Sequence, residues 1–287
     1  MRPQKYRWCQ GIVWITLLVL FGLSPLARAG KPAPFVFGVF PNLGTQQILM
    51  TYRPLADVLE KRFHRQVLIF TAPDFKTFVT RTHRGEYDLV LTAPHMAWLA
   101  RQEAGYRPLL QFDQPVRGLL VVNKASALNT LQDLDNSKIA IGDPLAVTVL
   151  AMQDLLAASG LKSGQQFRLY EAGTQSNAAM QVVSRRSDAA IVGRQPLNAL
   201  PEDMRQQLRV IAETRALSSQ MFLTHPRVNE RDAASIQEAL LAFERLSAGQ
   251  TFMTKSGFGK LVPVRDGEFQ VFRPYALEVQ RLMRDVR

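Results

Sequence analysis

One short pattern occurs twice in this chain, and the repeat restricts the fold more than any other feature of the sequence. Arg84-Gly85-Glu86-Tyr87-Asp88 leads into the apolar run Leu89-Val90-Leu91 and then Thr92-Ala93-Pro94. Arg185-Arg186-Ser187-Asp188 leads into Ala189-Ala190-Ile191-Val192 and then Gly193-Arg194. An aspartate just ahead of an unbroken apolar run marks a buried parallel strand entered from a polar turn. The match continues upstream. Before the first copy come a strand at Phe35–Phe40, a helical stretch through Arg62, a strand at Gln66–Phe70 and a helix at Phe75–His83. Before the second come a strand at Lys138–Gly142, a helix through Ser159, a strand at Phe167–Tyr170 and a helix from about Gln175 to Ser184. From Gly38 to Asp88 is 50 positions, and from Gly142 to Asp188 it is 46. Two β-α-β-α-β units of one layout predict two similar α/β lobes with a cleft between them.

The rest of the chain connects these units. Gly118–Val122, an extended run after Gln111–Pro115, reads as the first crossing between lobes. Leu208–Ala212 and Met221–Thr224 read as strands, with the return crossing near Glu213–Ser219. Arg231–Leu246 is amphipathic, and Phe269–Arg284 reads as a final helix packing back on the first lobe. Pro54 breaks the first helical stretch, so a short turn ends near Tyr52 and a new helix starts at Arg53-Pro54. The domains expected are a signal peptide at 1–29, a first lobe at 30–115 completed by 214–287, and a second lobe at 116–213. Two crossings between lobes suit a hinge, with closure burying a ligand between the lobes.

The amino terminus has the layout of a secretory leader. Arg2, Lys5 and Arg7 precede a mostly apolar core from Gly11 to Leu23, and Ala27-Arg28-Ala29 is a small-x-small cleavage site. The alternative is an uncleaved anchor, for which the apolar run is short. The one cysteine, Cys9, lies ahead of that core. Cleavage after Ala29 leaves a chain with no disulfide, no cysteine nucleophile and no cysteine metal ligand. Export without cysteine suits a periplasm. The net charge is +11, and loss of Arg2, Lys5, Arg7 and Arg28 with the leader leaves 31 basic against 24 acidic residues, +7, a balance that favours anionic ligands by long-range steering and equally fits a role in solubility alone. No dense run of Lys and Arg interleaved with aromatics points to nucleic acid.

Ligands of such sheets bind beyond the carboxyl ends of the strands. Several of those ends open helices, whose free N–H groups and positive ends suit an anion. Thr45, Thr92, Thr148, Thr174 and Ser176 each bring a hydroxyl there, and each also fits a plain helix N-cap. Phe75 stands in the first turn of its helix, behind Asp74 as N-cap. Arg194 suits a bidentate clamp on an oxyanion and equally a solvated surface position. Asp143 precedes Pro144 and also fits a turn-organising role, and His95 in a first helical turn also fits a core or surface role. No Ser/His/Asp or His/Glu cluster has catalytic spacing, so the expectation is no enzyme, no metal and no cofactor.

Taken in order, these residues resemble the substrate-binding proteins of phosphate/phosphite/phosphonate ABC transporters. The resemblance rests on Gly38–Pro41, Tyr52–Glu60, Asp74-Phe75, Gly85–Asp88 with Ala93-Pro94, Leu131–Leu134 and Lys138–Pro144, and covers roughly 34–245. It implies a type II periplasmic binding protein: two α/β lobes with a hinge and an interlobe cleft, and no catalysis. It further implies a monomer in the periplasm that hands a small anion to a permease. The same fold also serves as a sensory module feeding a membrane-bound sensor kinase. The sequence departs from the family at the ligand. Ala146-Val147-Thr148 stands where the family has a Ser-Thr-Ser-like run. The family's histidine at the next loop falls at Gln175 or Ser176, its tyrosine after Asp74 is Phe75, and its aromatic after Ala-Pro falls at Ala97, beside Trp98. Fewer polar donors fit a different or less charged ligand.

Overall fold

The structure is a computed structural model that describes residues 33–285. The leader read at 1–29 lies outside the described residues. In chain order, β1 (Phe35–Val39), α1 (Thr45–Phe63), β2 (Val67–Phe70), α2 (Phe75–His83), β3 (Leu89–Thr92), α3 (Pro94–Ala104) and β4 (Arg107–Phe112) come first. Then follow β5 (Gly118–Asn123), β6 (Ser137–Ile141), α4 (Val147–Ala158), β7 (Phe167–Glu171), α5 (Gln175–Val183) and β8 (Ala189–Gly193). The short helices α6 (Arg194–Asn198) and α7 (Glu202–Arg205) lead to β9 (Leu208–Glu213). The chain ends with β10 (Met221–Thr224), α8 (Glu230–Phe243), α9 (Ser247–Ser256), β11 (Leu261–Pro263) and α10 (Arg273–Asp285).

The strands form two sheets. The first has the order β11-β4-β10-β3-β1-β2 and the second β7-β6-β8-β5-β9. In each, the middle strand of the repeated unit runs parallel to its two partners: β1 with β2 and β3, β6 with β7 and β8. The next strand is antiparallel and comes from a crossing, β10 beside β3 and β5 beside β8. The crossings pair with one another: Val116 and Leu217 exchange both backbone hydrogen bonds, each 2.9 Å.

The two aspartates of the repeat do the same work. Asp88 accepts from the amide of Val36 at 2.7 Å, and Asp188 from the amide of Lys138 at 2.7 Å. Each thereby pins the entry of the neighbouring parallel strand. The register corrects the alignment read from the glycines. Gly38 pairs with Val90 and Ala140 with Ala190, each two residues past the aspartate. The counterpart of Gly38 is therefore Ala140, not Gly142. Gly38 is glycine for a local reason: a Cβ there would lie 2.6 Å from the ring of Tyr87.

Helix α1 is continuous through Pro54, against the break expected from sequence. Proline removes only the bond to the carbonyl of Met50, an exposed residue whose backbone water can satisfy. The buried face of Ile48, Tyr52, Leu55, Ala56 and Leu59 runs across the proline and holds both halves in line. The cores differ in kind. Rings pack through the first sheet: Phe37 on Tyr52 and Phe222, Phe112 on Phe258 with centroids 4.4 Å apart. The cluster between the second sheet and α5 is built from Leu119, Val121, Ala140, Ala178, Ala179 and Val182. Helix α10, within the final segment read at Phe269–Arg284, packs on α3. No helix among the described residues is long and apolar enough to cross a membrane.

Candidate functional site

A cavity of about 280 Å³ lies between the two sheets, at the lower end of small-molecule sites. The turns after β1, β3 and β8 and the starts of α2 and α4 line it, together with the crossings. Its apolar wall includes Phe40 and Phe75, packed edge to face at 5.9 Å. Its polar side is built around the start of α4. The N-cap there is Ala146, which offers no side-chain bond, so the first amides of the helix keep their donors free of a cap. Thr148 lines the cavity at 4 % exposure, and its hydroxyl has no partner.

Two arginines line the cavity and differ in their partners. Arg194 is half exposed and forms an ion pair with Glu213 at 2.8 Å. Arg117 donates to the carbonyl of Thr214 at 3.3 Å and has no carboxylate partner among the described residues. The lining therefore keeps one uncompensated positive charge. Several side-chain amides are engaged through one atom: Gln175 Oε1 accepts from Gly193 N, Asn42 Nδ2 donates to Gln195 Oε1, and Ser219 Oγ donates to Gln220 Oε1.

Below the cavity the two halves touch directly. His95 is fully buried, and its Nε2 lies 2.8 Å from the carbonyl of Leu145. Burial pushes the His95 pKa down to about 4, against the pull of that carbonyl. The imidazole is neutral at neutral pH and donates through Nε2. Asp143 accepts from the amide of Phe75 at 3.0 Å and from that of Leu145 at 2.8 Å. Burial raises the Asp143 pKa, and the two amides offset part of that rise. The protein's own carboxylate thus occupies the start of α2.

A family model described as ABC transporter, phosphonate, periplasmic substrate-binding protein matches residues 37–269. The chain belongs to that family. The family is one of transport substrate-binding proteins and not of enzymes, and it does not favour the sensor reading. Among solved structures, the binding protein component of an ABC phosphonate transporter from Pseudomonas aeruginosa superposes with a TM-score of 0.78 at 17 % identity, covering 86 % of this chain and 87 % of that one. PhnD1 of Prochlorococcus marinus, in complex with methylphosphonate, gives 0.78 at 15 % identity over 87 % and 99 %. The alkanesulfonate-binding protein SsuA of Xanthomonas axonopodis pv. citri, bound to MOPS, gives 0.54 at 18 % identity over 89 % and 95 %. At these identities the likeness carries the fold, a type II periplasmic binding protein.

Of the residues singled out from sequence, Phe75, Thr148, Gln175 and Arg194 line the cavity of this binding protein. Thr45, Thr92, His95, Asp143, Ser176 and Thr174 lie off its lining. Thr45 is the exposed first residue of α1, and Gly44 rather than Thr45 is the N-cap, without a side-chain bond. Thr92 is buried within the first sheet, opposite Met221. His95 and Asp143 are taken up by the contacts between the halves. Ser176 turns to the carbonyl of Pro196 at 3.4 Å. Thr174 is the N-cap of α5, accepting from Asn177 N. Ala97 is buried and Trp98 half-buried, both away from the cavity. Sequence reasoning passed over Asn42, Arg117, Gln195, Gln220 and Phe258. Arg117 carried a signal, a charge immediately before the apolar run of the first crossing. Phe258 follows α9, a helix without clear apolar periodicity, and carried none.

Proposed function

We propose that the protein captures a small oxyanion of the phosphonate or sulfonate class in the cavity between the sheets and delivers it to an ABC transporter permease. One observation carries this reading: the uncapped start of α4, the unpartnered Thr148 hydroxyl and the uncompensated Arg117 meet at one cavity. Helix-start amides and a guanidinium are the usual partners of an oxyanion. Phe75, Gln175 and Arg194 complete the lining around the ligand, and Glu213 restrains Arg194. The lobes on this reading are 30–115 with 214–287, and 116–213. The leader at 1–29 directs export and is cleaved, and the mature chain works as a monomer in the periplasm.

The test is a thermal-shift screen of phosphate, alkylphosphonates, alkanesulfonates and small carboxylates. A true ligand raises the melting temperature in proportion to the logarithm of its concentration above Kd. Arg117→Ala should weaken the ligand by roughly tenfold, whereas Thr45→Ala should leave it unchanged. A screen in which no anion shifts the transition removes the reading.

A further inference from the structure

The hydrogen-bonding character of the cavity narrows the class of anion, on the reading that the cavity binds one. Near neutral pH a phosphonate either keeps a P–OH proton, which needs an acceptor, or carries two negative charges. A sulfonate has lost its proton, carries one charge and only accepts. We propose that this site selects singly charged sulfonates bearing an apolar substituent over the corresponding phosphonates.

Three observations support this. The first is the donors. The first-turn amides of α4, the Thr148 hydroxyl and the Arg117 guanidinium can all donate to an oxyanion, and the hydroxyl is buried without a partner. The second is the acceptors. The one carboxylate on the lining, Glu213, already holds Arg194. Asp143, close by, has its two oxygens on the amides of Phe75 and Leu145. The side-chain acceptors left without a bond among the other lining residues, Asn42 Oδ1 and that of the exposed Gln114, are neutral amide oxygens, about half as strong as partners for an acidic P–OH as a carboxylate. The third is charge. Arg117 and Arg194 against Glu213 leave a single net positive charge, which matches a monoanion and leaves the second charge of a dianion unpaired.

Part of the lining suits the organic part of such a molecule. Phe40, Phe75, Ala93 and Phe258 line the cavity there. The start of α2 cannot act as a second anion site, because Asp143 sits on it. The arrangement has one place for an anion, with aromatic rings in the same lining.

The test is isothermal titration of the protein with ethanesulfonate, butanesulfonate, ethylphosphonate and butylphosphonate. Each sulfonate should bind roughly tenfold or more tightly than its phosphonate, the cost of an unpaired buried proton or charge. Butanesulfonate should exceed ethanesulfonate, and sulfonate affinity should be flat across neutral pH. Glu213→Gln, which frees Arg194, should move the ratio towards phosphonate. Equal or tighter phosphonate binding would overturn the selectivity while leaving the anion reading standing. An unmoved ratio in the variant would overturn the charge argument. Binding of neither class would overturn both readings together.

Discussion

The two copies of the repeated turn share one backbone device and differ in what surrounds it. Gly85 and Arg185 both take left-handed backbone, at φ 67° and 54°. Both hand on to an aspartate that pins a strand amide. In the first copy the turn is packed from behind. A Cβ at Gly85 would lie 2.5 Å from His225 Nε2, and Arg227 holds both Asp88, at 2.6 Å, and the Gly85 carbonyl. In the second copy Arg185 and Arg186 face solvent. The left-handed turn is what the fold requires of both. Glycine is required only where a second layer of protein covers the turn. The contrast continues past each strand. The first ends in a buried, neutral His95 that meets the other half, and the second in an exposed Arg194–Glu213 pair.

This comparison can be broken by substitution. Gly85→Ala should cost about 3 kcal/mol, from left-handed strain and the overlap with His225, whereas Arg185→Gly should be neutral or stabilising by up to about 1 kcal/mol. Urea unfolding of the pair measures both, and equal effects would mean that the covering layer is irrelevant.

The next effect is on pH dependence. His95 has its folded pKa at about 4, below the unfolded value of about 6.5. Over that window the unfolded chain binds a proton that the folded chain refuses, so stability falls as pH drops from 6.5 to 4. The loss approaches about 3 kcal/mol. His95→Gln should flatten that part of the curve. The raised carboxyl of Asp143 acts in the opposite sense, taking up a proton in the folded chain first as pH falls. A flattening in the variant therefore belongs to His95. No such change is expected of Arg194→Ala.

The smallest contrast is between the aspartates. Asp88→Ala should cost about 2 kcal/mol, because it strips both the Val36 amide and Arg227 of their partner. Asp188→Ala should cost about 1 kcal/mol, because water reaches the amide it leaves. Equal losses in denaturant midpoints would undo the ranking.

The same contrast explains what was legible in the sequence. Parallel strands buried on both faces, such as β1, β3, β6 and β8, announce themselves as apolar runs, and α2 as a capped helix behind Asp74. β4 was obscured by Pro108 and β11 is only three residues long. α9 carries Gly249, Gln250 and Thr251 in its middle and shows no apolar stripe. Pro54 misled because its cost falls on an exposed carbonyl. At the cavity, the residues found lie just beyond strands or in the first turns of helices, where backbone direction fixes their place. Asn42, Gln195 and Phe258 gain their place from folding across long sequence distances, which no local pattern records.

The paired hydrogen bonds between Val116 and Leu217 have a mechanical consequence. Translation of one half past the other would break both at once, whereas rotation about the line joining the two residues keeps them. The connection resists sliding more than swing, and a swing would have to part the contacts of His95 with Leu145, Phe75 with Asp143 and Asn42 with Gln195, so these three bonds hold the halves at the angle seen.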